Sequence, residues 1–252
     1  MDQLDDIFNM YENTPPEDQK KETNSGQQQQ QYKNNYNNDN KKTKKKSYWD
    51  NPEVPQRKID TSKFAPVDPM KYAIAYHPVD GKLPEEAEKK MIQLATILNN
   101  NGFELNWNGD NQRSLYQNIL GIEDIKINTY LPWGKFNEDA PNIKLKFPSD
   151  TAYETAFAYH KNIKNLKNGA RAMIAREVNM LLGVDVTDPV KFLLVWSGDG
   201  AESTEKMDFK KSGWISFDIR IAEAANIPVF NIQKDDAIKR LNEYIKILKG
   251  AE

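Results

Sequence analysis

Two aspartates and one histidine are the side chains of this sequence best placed for acid–base chemistry. Asp110 and Asp199 each fall in a loop expected to follow a strand. There a carboxylate could trade a proton with a substrate or, with Asp80, hold magnesium. His77 comes directly after an apolar run and can reach the same end of a sheet. His160, four residues after Ala156 on a helix face, reads instead as a packed, hydrogen-bonded histidine. Around the acids lie residues suited to an anionic ligand. Trp196-Ser-Gly-Asp-Gly200 and Ser212-Gly213-Trp214 are rich in small residues that let backbone N–H groups approach a phosphate where a helix begins. Ser197, Gly198, Asp199, Gly200, Ser212 and Gly213 are therefore candidate ligand contacts. Asn108 and Arg113 sit in a second such loop, and Trp133 and Asn137 in a third, where aromatic surface could cover a base or sugar. Arg171 and Arg176 could face the same crevice from a helix.

The elements needed to position these groups can be read from periodicity. Tyr72–Tyr76 is a short apolar run suited to a buried strand. Pro84 and the acids after it open a helix with Met91, Leu94, Ala95 and Leu98 on one face, ended by an Asn run and Gly102. Phe103, Leu105 and Trp107 alternate as a strand does, and so do Ile127, Thr129 and Leu131. Thr151-Ala-Tyr-Glu154 has the form of a capping box, opening a helix that turns Ala152, Ala156, Phe157 and Ile163 inward. Asn168–Leu182 reads as a helix carrying Met173, Ile174, Val178 and Leu181, with Gly183 as its C-cap. Val190–Trp196, apolar but for Lys191, reads as a central parallel strand. A helix over Ile215–Ala225, a strand over Pro228–Ile232 and a last helix with Ile238, Leu241, Ile245 and Leu248 complete the pattern. Alternating strands and helices predict a three-layer α/β domain, a Rossmann-like parallel sheet with helices on both faces. Ligands in such folds sit at the carboxyl ends of the strands.

Composition removes several kinds of chemistry. The 252-residue chain has no cysteine, so disulfides, thiolate metal sites and a thiol nucleophile are excluded, and only two histidines. No metal and no cofactor is expected. The net charge of −2 does not describe a general polyanion binder. No apolar run reaches the roughly 18 residues that span a bilayer, and the acidic start is unlike a secretory signal. The chain reads as soluble, cytoplasmic and without membrane partners.

A change of composition near residue 65 divides the chain into a tail over 1–64 and a domain over 65–252. Residues 1–19 hold six acids and no base, residues 20–48 hold eight lysines, and 11 of the 18 residues from Thr23 to Asn40 are Asn or Gln. Such a segment has too little to bury and is predicted to be disordered when unbound. Within it, Leu4, Ile7, Phe8 and Tyr11 fall at helical spacing, as in a segment that folds into a protein partner's groove. Lys41, Lys42, Lys44, Lys45 and Lys46 precede Tyr48 and Trp49, a combination able to hold phosphates and stack a base.

The ordered region resembles the SLOG superfamily, the Rossmann-like group that includes DNA-processing protein A and the Lonely Guy enzymes, and within it a branch often encoded by bacteriophages. The resemblance is carried, in order, by Met70-Lys-Tyr-Ala73, Leu131-Pro-Trp-Gly-Lys-Phe-Asn137, Ala170-Arg171 through Leu182-Gly183, Asp188-Pro-Val190, Trp196-Ser-Gly-Asp-Gly200, Arg220-Ile-Ala222 and Ile227-Pro-Val-Phe-Asn231. It implies a nucleotide-type ligand, and localisation in a host cytoplasm or a virion. Three loops depart from the branch. Ala75-Tyr-His-Pro78 stands where it has glycine-serine-arginine, Trp107-Asn-Gly-Asp-Asn-Gln-Arg113 replaces a glycine-rich stretch, and Ser212-Gly-Trp214 replaces glycine-glycine-threonine. Each lost glycine removes room for close backbone approach. The expectation is a non-catalytic binding or interaction protein, in a homo-oligomer or larger assembly, with the tail as docking arm. The alternatives are a nucleotide N-glycosidic hydrolase using Asp110 or Asp199, and a single-stranded nucleic-acid-binding protein.

Overall fold

The strand Lys71–Tyr76, β1, alternates large and small residues, and this alternation sets the two faces of the sheet. Ala73 and Ala75 point into a core shared with helical Ala152, Ala156, Ala175, Val178 and Ile219, because small side chains let helices approach closely. Tyr72 and Tyr76 point the other way into an aromatic tier. Tyr72 stacks on Phe192 at 5.8 Å, and Tyr76 meets Tyr116 at 5.6 Å between ring centroids. The Tyr116 hydroxyl donates to the Ile74 carbonyl at 3.2 Å.

The computed structural model describes residues 59–64, 70–77, 82–109, 114–134, 136, 146–160 and 163–250. All of them belong to the unit Tyr48–Glu252. After β1 come α1 (Glu85–Asn100), β2 (Glu104–Trp107), α2 (Ser114–Leu120), β3 (Ile127–Thr129), α3 (Asp150–Tyr159) and α4 (Asn168–Leu182). They are followed by β4 (Phe192–Trp196), the single turn α5 (Phe209–Ser212), α6 (Ile215–Ala224), β5 (Val229–Asn231) and α7 (Ala237–Leu248). The five strands are parallel in the order β3-β2-β1-β4-β5. The expected α/β Rossmann-like fold is thus present. Chain direction across the sheet reverses between β1 and β4, where β1 leads outward to β2 and β4 leads to β5. A ligand crevice in such sheets opens at that point. Residues 59–64, on the tail side of the compositional boundary, pack with the domain: the Ile59 N–H donates to the Ala224 carbonyl at 3.0 Å, and Ile59 and Phe64 lie against the alanine-lined core.

Several local expectations need correction. Ser149, not Thr151, caps α3, and its side chain accepts from the Ala152 N–H. Phe157 and Met173 were expected inside but are 37% and 38% exposed. The Arg171 guanidinium lies over the Phe157 ring at 5.8 Å, which covers that ring without burying it in the core. Asn106 in β2 is fully buried between the strand's apolar residues, and its amide donates to the Met180 carbonyl at 2.8 Å. That bond stitches β2 to α4 and satisfies a polar group that burial would otherwise penalise. The helix α2 went unread in the sequence. Among the described residues no helix is long and apolar enough to cross a membrane.

Candidate functional site

Asp199 follows β4 by three residues, in a loop that must turn sharply back toward the sheet. Its carboxylate gathers the whole loop. Oδ1 accepts from the Ser197 hydroxyl and from the Ala201 N–H at 3.2 Å. Oδ2 accepts from the Asp208 N–H at 2.8 Å and the Ser212 hydroxyl at 2.7 Å. A carboxylate offers about four acceptor positions, so these four donors use its capacity. Burial pushes the Asp199 carboxyl up, but the two hydroxyls and two N–H groups outweigh it and hold the group below the usual aspartate range. An acid stabilised as the anion is a weak base and a poor proton donor.

The network continues to the sheet's end strand. The Asn231 amide donates to Ser197 Oγ at 2.7 Å and to the Ala201 carbonyl at 3.0 Å. The Asn231 N–H donates to Glu202 at 2.8 Å. Glu202 also pairs with Lys234 and, at 2.7 Å, with Arg240. Burial pushes Glu202 up, but Arg240, Lys234 and the Asn231 N–H together hold it below its ordinary value. The Gln233 amide donates to the Gly198 carbonyl at 3.3 Å, and the Gly200 N–H to the Ser197 carbonyl at 3.1 Å.

Across the switch point, His77 faces Gly213. The His77 N–H donates to the Trp196 carbonyl at 3.1 Å, which ties the exit of β1 to β4. A Cβ built on Gly213 would overlap the His77 imidazole, and Gly213 has φ +51°. Only glycine fits both the space and the conformation. The imidazole therefore occupies the ground in front of the turn leading into α6. Trp214 follows, 67% exposed.

The remaining predicted residues divide. Arg176 is buried; its Nη1 donates to the Asn108 carbonyl at 3.0 Å, its Nη2 pairs with Glu177, and its guanidinium lies over Phe136 at 5.5 Å. Trp133 meets Phe136 edge-on at 5.1 Å and remains 41% exposed. Arg171 turns away from the crevice, its Nε donating to the Ile163 carbonyl at 3.0 Å and its Nη2 to that of Lys164. His160 caps the end of α3 and packs edge-to-face on Phe217 at 5.9 Å. Asp110, Arg113, Asn137, the apolar tail residues Leu4, Ile7, Phe8 and Tyr11, and the lysine run with Tyr48 and Trp49 lie outside the described residues. Sequence reasoning missed Asn231 and Glu202, whose signal was a strand ending in asparagine opposite an acid in the β4 loop. It also missed Asp218, the one acid in an otherwise apolar start to α6. Among the described residues no group of three or more His, Cys, Asp or Glu is placed to hold a metal ion. Comparison with family models, curated proteins and solved structures finds no match to this chain.

Two outcomes follow from this geometry. Asp199→Asn places an amide N–H₂ among four donors and should cost about 2–3 kcal/mol in urea unfolding at neutral pH. Because the folded carboxyl lies below its unfolded value, its stabilisation is present above the ordinary aspartate range and fades as pH falls through the folded value. The gap between wild type and variant should therefore narrow toward acid pH. A pH-independent gap would count against the carboxylate's role. Gly213→Ala should destabilise by about 2 kcal/mol through strain and overlap. His77→Ala should relieve the overlap, so the double variant loses at least about 1 kcal/mol less than the sum of the single losses. Strict additivity would show that the two groups do not meet.

Proposed function

We propose that this chain is a non-catalytic binding or interaction protein on a SLOG-type scaffold of the phage kind, with the part of the tail before Ile59 as its docking arm. The observation that carries the reading is the Asp199 carboxylate, whose acceptor positions are taken by Ser197, Ala201, Asp208 and Ser212. In a hydrolase of the competing class, an acid at this strand end would meet the leaving base or an attacking water. Here the acid is committed to the loop. His77 adds to this by filling the approach to Gly213, where a phosphate would come closest to the backbone. Trp133 and Trp214 keep exposed aromatic surface, suited to a protein partner or to stacking on a nucleotide-type ligand. A nucleotide, if bound, would be held at the rim and not drawn in against the glycines.

The full chain incubated with a panel of purine and pyrimidine nucleoside monophosphates should release no unphosphorylated base above the rate of a boiled control, as read by chromatography. Base release by the wild type that Asp199→Asn abolishes would replace this reading with the hydrolase.

A further inference from the structure

Between Glu154 and Glu177 the sequence carries Lys161, Lys164, Lys167, Arg171 and Arg176 and not one acid. The fold makes this stretch the junction of α3 with α4, joined through the single turn Ile163–Asn165. Arg176 is buried and paired with Glu177, and Lys161 lies outside the described residues. Lys164 and Lys167 are exposed, and Arg171 is half-buried. Arg171 spends its protons on the Ile163 and Lys164 carbonyls, which leave its charge unbalanced. Among the described residues no ion pair includes Lys164, Lys167 or Arg171. The acids before the stretch, Asp150 and Glu154, stand on earlier turns of α3.

Apolar side chains emerge at the same junction. Phe157, near the end of α3, lies under the Arg171 guanidinium and is still 37% exposed. The Trp133 ring rests on the first turn of α4, 3.7 Å from where a Cβ on Gly169 would stand. Met173 follows Gly169 by one turn, on the same side of α4, and is exposed as well.

Charge and apolar area together limit what fits here. A second copy brought face to face would set lysine against lysine, which works against association. A single-stranded nucleic acid would answer the charge, but it also needs open ring faces on which to stack. Arg171 covers one face of Phe157, and Trp133 stands edge-on to Phe136 while leaning on Gly169. Trp, Phe, Met and Arg are the types enriched in the cores of protein interfaces, with charge kept to the rim.

We propose that the α3–α4 junction is a docking surface for an acidic protein segment, with Phe157, Met173 and Trp133 receiving its apolar side chains and Lys164, Lys167 and Arg171 pairing its carboxylates. The proposal rests on the reading of this chain as an interaction protein and gives the domain a contact surface of its own.

The test titrates the full chain into a fluorescein-labelled amphipathic peptide built from glutamate, leucine and phenylalanine, and reads anisotropy. The peptide should bind, and its twin with lysine in place of glutamate should not. Lys164→Glu with Lys167→Glu should weaken binding by about tenfold or more. Phe157→Ser with Met173→Ser should weaken it by about fivefold or more. All four side chains are exposed, so these variants should keep the fold. Reversing Lys126 and Lys239, exposed elsewhere on the domain, should leave affinity within about twofold. The proposal is overturned if the peptide does not bind, if the lysine twin binds as well, or if the remote pair weakens binding as much as the junction pair. It also falls if either junction pair leaves binding unchanged. A thymidine oligonucleotide that binds more tightly than the peptide, and loses that advantage in the Lys164 and Lys167 variant, would make the junction a nucleic-acid surface and overturn it too. None of these results bears on base release, so the non-catalytic reading stands or falls by its own assay.

Discussion

A carboxylate that collects four hydrogen bonds fixes everything around it, and Asp199 does this at the point where the chain is otherwise least constrained. Each bond to a charged acceptor contributes roughly 1.5–3 kcal/mol in a partly buried setting. Together they draw Ser197, Ala201, Asp208 and Ser212 around one side chain. Ser197 and Ala201 pass the constraint to Asn231 at the end of β5, and Ser212 passes it to Gly213 and so to His77 at the exit of β1. The carboxyl ends of β1, β4 and β5 are thereby joined through side chains as well as through the sheet. The arrangement that gives the crevice its shape also uses the group that would otherwise make it reactive.

The sheet beneath is unequal by design of its sequence. Alanines at 73 and 75 let the layer of α3, α4 and α6 press close, while Tyr72, Phe192, Phe230 and Tyr244 fill the deeper gap on the other side with rings at mutual distances near 6 Å. Close helix packing has a cost. It buries Arg176 on α4 and Asp218 on α6 and leaves the Arg176 Nε and the Asp218 Oδ1 without hydrogen-bond partners. On the aromatic side the Arg240 guanidinium lies over the Phe230 ring at 5.7 Å and pairs with Glu202 and Asp236.

Much of this was legible in the sequence. The strongest periodic signals fixed the elements well: α4 runs over Asn168–Leu182 as its pattern predicts, and Gly183 closes it at φ +78°. β4 begins two residues later than its apolar run, since Val190 is buried before pairing starts. The cap of α3 was misplaced because Thr151 and Glu154 imitate a capping box within a helix already opened by Ser149. The seven-residue α2 offers too few turns for periodicity to register, although Leu115, Tyr116 and Ile119 do share its buried side. Small residues after β4 pointed correctly to a tight loop, but not to Asp199 as its internal anchor. That role depends on Asn231 and Ser212, which only the tertiary fold brings near. The burial of Asp218 was hidden for the same reason, because no local pattern reports which helices meet.

The most direct test of the account is the carboxyl titration of Asp199 itself, followed by carbon-detected NMR in the full chain. The account predicts a midpoint below the ordinary aspartate range, together with slowly exchanging amides at Ala201 and Asp208, the two backbone donors to that carboxylate. A midpoint at or above the ordinary range, with rapidly exchanging amides at those positions, would contradict it. Such a result would mean an acid open to solvent and able to exchange protons with a substrate.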